Sequence, residues 1–321
     1  MVKSCNTLLL SAGRRKRLHD FIEDYYRVHD INGKIFVTDS NPELSAVCMS
    51  DSNYVKILPA NNPNYLDNLT QIISDNDINI IIPTIDHELL HLSMLQNNLH
   101  HQPLLPIISS TDFVRTFSSK TATHDFFNSN AILTPQIINT PTKNDLPLFA
   151  KLNHSSSSIG AQIVTQNDQL QSLLNSSSDY VFQEYVKGTE FTIDFFIDIN
   201  QKLLATVPRQ RLEVRAGEVS KALTIYDEAL IKATTLAIKK LTGAYGPLCI
   251  QAIKNDQGIF FIEINTRFGG GYPLTHQAGV NFIEFIFNDY FKLPNQKISN
   301  WSKNLLMLRY DHEVIVNDYS I

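Results

Sequence analysis

The stretch "FIEINTRFGGG" (residues 261–271) has an apolar strand pattern that carries a polar residue at every second position and ends in three glycines. Alternate residues of a β-strand point to the same face of the sheet, so Glu263, Asn265 and Arg267 share one face. The apolar residues between them take the opposite face. A carboxylate, an amide and a guanidinium on one strand face indicate a binding site at this strand.

A fourth polar residue, Gln251, lies twelve residues before Glu263 on a strand that is predicted to pair with the first. In that arrangement the oxygens of Gln251, Glu263 and Asn265 can converge on one small cation or on two adjacent cations. The three side chains carry one formal negative charge, so they would bind Mg²⁺ weakly unless phosphates supplied further oxygens. A polar face open to solvent is the alternative, but the combination of these residues with Arg267 favours a metal site.

Composition limits the class of protein. The chain has 321 residues, enough for two or three packed subdomains. It is 43% hydrophobic with a formal net charge of −5, which argues against nucleic acid or an anionic membrane as its main partner. Cys5, Cys48 and Cys249 lack the paired spacing of a disulfide framework or a zinc site. No signal-peptide core and no run of about 18 apolar residues is present, so the cytoplasm is the expected compartment.

The pattern of apolar residues changes near residue 145. Before it, strand-like runs alternate with segments of helical spacing, which predicts a parallel sheet flanked by helices. After it, strands follow one another closely, which predicts antiparallel sheet. The expected fold class is therefore α/β followed by α+β. The strand-like runs of the first part are 6–13, 33–40, 53–58 and 78–84, and the helical segments are 14–29, 64–76 and 86–98.

Lys151 lies in an apolar strand at the start of "AKLNHSSSSIG". A buried lysine is costly unless an anion meets it. The loop that follows contains Ser157, Ser158 and Gly160, whose hydroxyl and backbone N–H groups can surround phosphate oxygens. On its own a serine run is an ordinary solvated loop, and Lys120, at the start of a predicted helix, is an ordinary surface lysine.

The segment "QEYVKGTE" (183–190) reads as a hinge between two strands. Extended backbone with free polar groups can bind the edge of an adenine, starting at Gln183. The carboxylate of Glu190, seven residues further on, can accept hydrogen bonds from ribose hydroxyls. A hairpin with charged flanks is the alternative for this segment.

Four basic residues lie close together in a chain that is acidic overall. Arginine suits forked contacts with carboxylate or phosphate, so the cluster suggests anion recognition. A solvated basic face remains the alternative for one or two of the four. The cluster comprises Arg209, Arg211, Arg215 and Lys221.

Taken in order, these segments resemble the ATP-grasp superfamily, and most of all stand-alone proteins similar to one half of the carbamoyl phosphate synthase large subunit. The resemblance covers almost the whole chain. It implies an ATP-grasp fold with an N-terminal Rossmann-like (pre-ATP-grasp) lobe over residues 1–110. Residues 111–186 would form the ATP-grasp small lobe, and residues 187–321 the large lobe with a C-terminal strand.

The resemblance also implies the roles of the site residues. ATP phosphates would be bound by Lys120, Lys151, Ser157, Ser158 and Gly160. The adenine would be contacted by Gln183 and the backbone of Tyr185 and Val186, and the ribose by Glu190. Mg²⁺, or Mn²⁺ in its place, would be bound by Gln251, Glu263 and Asn265. Arg267 would steady the acyl-phosphate or its transition state, and Arg209 or Arg215 would orient the carboxylate.

Two departures from the family pattern are present. The loop after Lys151 has serines where many relatives have glycines, and Gln183 stands where the hinge often has glutamate. The chain also resembles only one ATP-grasp unit, which argues against the complete synthesis of carbamoyl phosphate.

The resemblance implies an ADP-forming ligase that joins a small-molecule carboxylate to an amine, amino acids among the candidates, through an acyl-phosphate. It leaves a homodimer open. A nucleotide-binding regulatory or scaffold protein without turnover is the alternative. A dinucleotide-dependent reductase is a further one, but "LSAGRRKR" (10–17) has a single glycine where G-x-G-x-x-G needs three.

Asp86 and Glu88 follow the predicted strand 78–84, at the edge where open α/β sheets bind ligands. We expect this edge to face the acceptor or carboxylate pocket, although acids at a helix N-terminus are the alternative. His154 and His276 lie near the motifs. We do not expect either to be an acid–base residue, because an acyl-phosphate is already activated.

Overall fold

A computed structural model gives the fold and describes residues 3–50, 53–96, 104–155 and 158–317. The strands in these ranges form three sheets. The first sheet is parallel and is formed by the N-terminal part of the chain. The strand pairs of the other two sheets are antiparallel and come from later residues. This arrangement confirms the predicted class of α/β followed by α+β.

The first sheet has strands β1 (Thr7–Leu9), β2 (Ile35–Asp39), β3 (Tyr54–Lys56), β4 (Ile80–Ile82) and β5 (Leu105–Pro106), with helices α1 (Lys16–Val28), α2 (Ala46–Met49), α3 (Tyr65–Asp75) and α4 (Leu89–Gln96). Their order is β3-β2-β1-β4-β5, and β1 pairs in parallel with β2 and β4. The strands β1 and β4 are buried at every position, as expected where helices cover both faces of a parallel sheet. A 3₁₀ turn, Asp86–Glu88, follows β4.

The second sheet follows helices α5 (Thr111–Ser118) and α6 (Lys120–Ser129) and has strands β6 (Leu148–Leu152), β7 (Gln162–Val164) and β8 (Tyr180–Glu184), with helix α7 (Asn167–Leu174). The strand β6 lies between β7 and β8. The helix α7 covers one face of this sheet. Since side chains alternate along β6, Phe149 and Lys151 share the other face, where their partners on β8 are Gln183 and Val181.

The third sheet has strands β9 (Thr189–Ile197), β10 (Leu203–Arg215), β11 (Glu218–Thr224), β12 (Gly246–Asn255), β13 (Gly258–Asn265) and β14 (Leu306–Leu308), with helices α8 (Glu228–Ile238), α9 (Tyr272–Gln277) and α10 (Phe282–Tyr290). Their order is β13-β12-β9-β10-β11-β14. The strands β12 and β13 form the predicted pair, in which Gln251 lies opposite Glu263. The predicted C-terminal strand near 305–316 is shorter than expected, because only Leu306–Leu308 pair with β11.

An apolar cluster joins the N-terminal lobe to the third sheet. The ring of Tyr25, on α1, stacks on that of Phe287, on α10, with 4.7 Å between the ring centroids. Phe21 contacts Tyr272 of α9 in the same cluster. This packing fixes the N-terminus of α1 beside the turn that follows β13. The domain boundaries at residues 110 and 186 lie between the sheets and stay predictions.

Candidate active site

A cavity of about 300 Å³ lies between the N-terminal lobe, the second sheet and the third sheet. One wall is the pair β12–β13 with the glycine turn after it, the second wall comes from β6 and its loop, and Asp86 belongs to a third. Eight of the residues predicted from the sequence line this cavity: Lys120, Lys151, Ser158, Arg209, Gln251, Glu263, Asn265 and Arg267.

Glu263 is at the centre of a polar network in the cavity. Gln251 Nε2 and Asn265 Nδ2 donate to its Oε1 at 2.9 and 3.1 Å. Lys120 Nζ, at the N-terminus of α6, lies 3.2 Å from its Oε2. Strand register places Gln251 opposite Glu263, and the two-residue period places Asn265 on the same face, so the sheet geometry alone assembles three of these side chains.

The charges around Glu263 are unbalanced. Burial raises the pKa of Glu263, but Lys120 and Lys151 outweigh that effect and, with the hydrogen bond from Asn265, lower the pKa to about 2. Lys151 is 5% exposed, and burial lowers its pKa to about 8 although Glu263 opposes the change. Two lysines therefore face one carboxylate. The surplus positive charge on this wall would be neutralised by an anion such as a phosphate group.

The oxygen donors on this wall suit a hard divalent cation, because carboxylate and amide oxygens are what Mg²⁺ prefers. Glu263 supplies the negative charge, and Asn265 adds an amide. Gln251 is turned away from this role, since its Oε1 accepts a hydrogen bond from Arg211 Nη1 at 2.7 Å while its Nε2 faces Glu263. Gln251 would bind a cation through oxygen only after its amide rotates and the contact with Arg211 breaks.

Arg267 connects β13 to the N-terminal lobe. Its Nη2 donates to Asp86 Oδ2 at 2.6 Å, and its Nη1 donates to the carbonyl of Phe268 at 3.1 Å. Its Nε is buried and has no hydrogen-bond partner within the described ranges. Asp86 thus lines the cavity at the end of the parallel sheet, which is where the sequence placed a pocket edge, and it orients the arginine.

Arg209 is 1% exposed and lies beneath the glycine turn. Its Nε and Nη2 donate to the two oxygens of Asp194 at 2.8 and 2.7 Å, and Thr275 Oγ1 donates to Asp194 as well. A Cβ at Gly271 would lie 2.0 Å from Arg209 Nη1, so glycine is required there for space. Of the three guanidinium nitrogens of Arg209, Nη1 has no partner among the described residues. The forked contact expected for a substrate goes to Asp194 instead.

Arg215 does not join the other predicted residues. Six positions along β10 separate it from Arg209, which corresponds to roughly 20 Å of extended chain. It is exposed, and its Nη2 lies 2.5 Å from Asp311 Oδ1. Arg215 does not line the cavity.

The predicted adenine and ribose residues lie outside the lining of the cavity. Gln183 is 3% exposed and its Nε2 donates to the carbonyl of Pro135 at 3.1 Å. Tyr185 and Val186 lie between β8 and β9, and Glu190 is on β9. Nothing in this geometry decides their predicted roles, which stay predictions.

The loop over the cavity is described from Ser158 onward, and Ser157 lies outside the described residues. Gly160 has φ 73°, in the left-handed region that favours glycine, and a Cβ there would lie 2.9 Å from Leu152. His154 lines the cavity, whereas His276 is stacked on Phe21 with 3.7 Å between ring centroids. Burial lowers the pKa of His276 to about 4.

A second charged group, which the sequence motifs did not predict, lies beside the glycine turn after β13. Glu218, the first residue of β11, lines the cavity and lies between Arg15 and Arg309, at 3.0 and 2.8 Å. Arg309 also donates to the carbonyl of Gly270. These residues come from three distant parts of the chain, and Arg15 was visible only as one of four basic residues after β1.

Two family models match the chain. Residues 176–312 match the model described as "ATP-grasp in the biosynthetic pathway with Ter operon", and residues 7–104 match "PylC-like, N-terminal domain". The first match agrees with the ATP-grasp resemblance that the motifs predicted, over residues 176–312. No curated protein sequence matches it.

Several solved structures share the fold. L-amino acid ligase from Bacillus licheniformis is 16% identical with a TM-score of 0.66, over 90% of this chain and 75% of that one. N5-carboxyaminoimidazole synthetase from Staphylococcus aureus, complexed with ADP, is 11% identical with a TM-score of 0.74, over 94% and 81%. Biotin carboxylase from Campylobacter jejuni is 12% identical with a TM-score of 0.72, over 94% and 74%.

Identities this low show the fold alone, and they confirm the predicted ATP-grasp fold with its N-terminal lobe. The predicted fold is thus confirmed, and the ligase reaction is a proposal. Within the described ranges, each helix is too short or too polar to cross a lipid bilayer.

Proposed function

We propose that the protein is an ATP-dependent carboxylate–amine ligase. ATP would phosphorylate a carboxylate, and an amine would attack the acyl-phosphate to give an amide, ADP and phosphate. The observation that carries the proposal is the cavity wall on which Glu263 lies among Lys120, Lys151 and the magnesium-type ligands, next to Arg267. Similar structures support it, since one is an L-amino acid ligase and others contain ADP or MgADP.

The two lysines would bind the phosphates of ATP. Lys151 is buried with its charge only partly compensated, so an incoming phosphate would relieve an existing cost as well as gain an attraction. Lys120 lies at the N-terminus of α6, where the helix dipole adds to the attraction for anions. Phosphoryl transfer needs little beyond such positioning and charge neutralisation.

Glu263 and Asn265, joined by Gln251 once its amide has rotated, would hold Mg²⁺, with Mn²⁺ as a substitute. A cation held by these residues would supply neutralisation of the negative charge that develops during phosphoryl transfer. Arg211 has a defined part in this arrangement, because it holds the amide of Gln251 and also lies 3.6 Å from Glu190, the predicted ribose ligand.

Arg267 would meet the charge that develops on the carboxylate and its acyl-phosphate. Asp86 fixes one prong of its guanidinium, and its buried Nε has no hydrogen-bond partner within the described ranges. Arg209, held by Asp194, would act mainly by supporting the glycine turn on which the substrate lies. Arg215 as a substrate ligand would require the exposed end of β10 to move, so we assign orientation of the carboxylate to Arg267 instead.

The remaining expectations are part of the same proposal. Gln183 and the backbone of Tyr185 and Val186 would bind adenine, and Ser157, Ser158 and Gly160 would cover the phosphates. The protein would act on small molecules in the cytoplasm, and a homodimer is compatible with this function.

The test is a screen of ADP release against panels of carboxylates and amines, with product mass as the second readout. Hydroxylamine serves as a general acceptor, because it converts an acyl-phosphate into a hydroxamate whatever the natural amine is. We expect hydroxamate and ADP in equal amounts with at least one carboxylate. Binding of MgATP without ADP release across the whole panel would show a nucleotide-binding protein without turnover instead.

A further inference from the structure

The side-chain amide of Gln251 has only one orientation that suits both of its neighbours. Its Oε1 accepts a hydrogen bond from Arg211 Nη1 at 2.7 Å, and its Nε2 donates to Glu263 Oε1 at 2.9 Å. A guanidinium has donors and no acceptor, whereas an ionised carboxylate has acceptors and no donor. Lys120, 3.2 Å from Oε2, keeps Glu263 in the ionised form. The amide nitrogen of Gln251 therefore faces Glu263 for as long as Arg211 holds the amide oxygen.

This orientation excludes Gln251 from the predicted set of metal ligands. An amide binds a divalent cation through its oxygen, and here the NH₂ group faces the carboxylate that supplies the negative charge of the set. If the amide rotated while Arg211 stayed in place, the Nε2 donor would face the Nη1 donor at hydrogen-bond distance. The contact with Arg211 and ligation by Gln251 are consequently mutually exclusive.

Sheet register explains how Arg211 comes to lie beside Gln251. Thr192 of β9 lies opposite Gln251 of β12 and opposite Arg209 of β10. Arg211 is two residues after Arg209 on β10, so it shares this face of the sheet. Glu190, the predicted ribose ligand, is two residues before Thr192 on β9 and shares the face as well. Arg211 is thus a neighbour of a predicted metal ligand and of a predicted nucleotide ligand.

The present contacts hold Arg211 only in part. Its side chain is 10% exposed, and its Nε is buried without a hydrogen-bond partner within the described ranges. Glu190 Oε2 lies 3.6 Å from this Nε, which is near enough for electrostatic attraction and too far for a hydrogen bond. A second partner for the guanidinium therefore lies beside it, and both Arg211 and Gln251 line the cavity.

We propose that Arg211 couples nucleotide binding to the metal-ligand set by exchanging partners. In the free protein it holds Gln251 in the orientation that keeps the amide oxygen out of the set. When a nucleotide binds, Arg211 turns to the anionic oxygens of the nucleotide and to Glu190, and Gln251 is free to rotate. Arg211 is a positioning residue in this scheme, because it acts through Gln251. The inference rests on the proposed ligase function.

The exchange is favourable for an arginine. A guanidinium binds a phosphate or a carboxylate more strongly than a neutral amide oxygen, because both partners carry charge. The Nε of Arg211 would also gain the hydrogen bond to Glu190 that it lacks in the free protein. Until the exchange takes place, the contact with Arg211 should weaken cation binding about tenfold to a hundredfold, the scale of one hydrogen bond to a charged group.

The first experiment measures the affinity of the nucleotide-free protein for Mn²⁺, whose EPR signal reports the free ion. Arg211→Met removes the competition for the amide oxygen, so we expect it to bind Mn²⁺ about tenfold to a hundredfold more tightly than wild type. Loss of a positive charge would also tighten binding. The same substitution is therefore made in Gln251→Met, where it can act only through charge.

This pair of backgrounds isolates the contact between the two side chains. We expect the effect of Arg211→Met on Mn²⁺ affinity to be about fivefold or more smaller in the Gln251→Met background than in wild type. Equal effects in the two backgrounds would show that Arg211 acts through its charge alone, and they would overturn the proposal.

A spectroscopic measurement tests the exchange in the wild-type protein. With isotope-labelled glutamine, the NMR signal of the Gln251 side-chain NH₂ group is the one that Gln251→Met lacks. We expect ADP without a metal ion to move this signal, because the amide loses its contact with Arg211. In Arg211→Met the signal should respond little to ADP, since the contact is already absent. An unchanged Gln251 signal in wild type saturated with ADP would overturn the proposal, and it decides the question if Arg211→Met does not fold.

The outcomes separate this inference from the ligase function. Hydroxamate formation by wild type, together with equal Mn²⁺ effects or an unchanged Gln251 signal, would overturn the coupling and leave the ligase standing. Failure of ADP to bind the wild-type protein, with no hydroxamate from any carboxylate, would overturn the ligase and the coupling together.

Discussion

Two glutamates, the half-buried Glu263 and the fully buried Glu88, have opposite electrostatic surroundings in the two lobes. Glu263, on β13, faces Lys120 and Lys151, and its pKa falls to about 2 against the effect of burial. Glu88, in the 3₁₀ turn after β4, is 1% exposed, and burial raises its pKa to about 7 although Ser11 Oγ donates to it at 2.6 Å. Two neighbouring lysines keep the half-buried Glu263 charged, whereas full burial favours the neutral form of Glu88.

The difference in surroundings distinguishes Glu263, which lies in the candidate site, from Glu88, which has a structural role. Glu263 is an anion among cations on a cavity wall, where phosphates and a metal ion could rearrange the same contacts. Glu88 accepts a hydrogen bond from Ser11 Oγ and does not line the cavity. The same substitution, glutamate to glutamine, should consequently have opposite effects at the two positions.

The largest effect is expected for Glu263→Gln. It removes the only formal negative charge of the predicted metal ligands, and turnover should fall about a hundredfold or more, the scale of losing one strong transition-state contact. The free energy of unfolding at pH 7 should also fall by about 1–3 kcal/mol, because two lysines are left without their carboxylate. Steady-state ADP release and urea unfolding measure the two quantities.

The stability part of this prediction has a defined pH window. A carboxyl group whose folded pKa is lowered from 4.5 to about 2 stabilises the fold above pH 4.5, and this stabilisation is lost as the pH falls through about 2. The difference between wild type and variant should therefore shrink below pH 4.5. Glu23→Gln, at an exposed position of α1, is the control. Normal turnover in Glu263→Gln would contradict the proposed ligase function.

The opposite sign is expected for Glu88→Gln. A carboxyl group whose folded pKa is raised from 4.5 to about 7 stabilises the fold below pH 4.5, and this contribution is lost as the pH rises through about 7. Glutamine carries no charge at any pH, so the variant should be more stable than wild type at pH 8 by about 1–3 kcal/mol. Chemical unfolding at pH 5 and pH 8 checks this, and an equal loss at both would show a packing defect instead.

A smaller effect is expected for the pH dependence of ATP binding. Burial lowers the pKa of Lys151 to about 8, so the free protein loses this positive charge as the pH rises through 8. ATP affinity should then fall by up to about tenfold per pH unit above pH 8, because phosphates bind the protonated form. Lys151→Arg keeps its charge and should show a flat profile between pH 7 and 9.5 in titration calorimetry. If the ATP affinity of wild type and of Lys151→Arg changes with pH in the same way, Lys151 does not bind the phosphates.

The smallest effect is expected for Asn265→Ala. It deletes one neutral ligand that a water molecule can replace, so turnover should fall only about three- to tenfold at saturating magnesium. The magnesium concentration needed for half-maximal rate should rise. A loss as large as that of Glu263→Gln would mean that Asn265 acts through something other than the metal ion.

Local pattern was enough for the fold class and for the polar face of β13. The two-residue period put Glu263, Asn265 and Arg267 on one face, and the β12–β13 pairing placed Gln251 opposite Glu263. The change from alternating strands and helices to closely spaced strands separated the parallel sheet from the antiparallel ones. A lysine in an apolar strand marked Lys151, which is buried as expected. All these signals come from residues that are close in sequence or in adjacent strands.

Tertiary packing alone decided which charges meet. Arg209 and Arg215 belong to one basic cluster in the sequence. In the structure Arg209 forms an ion pair with Asp194, and Arg215 forms one with Asp311. Asp86 and Arg267 are 181 positions apart. Glu218 meets Arg15 because α1 packs on α9 and α10, and it meets Arg309 because the segment after β14 lies beside β11. Periodicity reports the face on which a side chain lies. It carries no information about the element that will cover that face, because the contacts between distant elements depend on how whole lobes fit together.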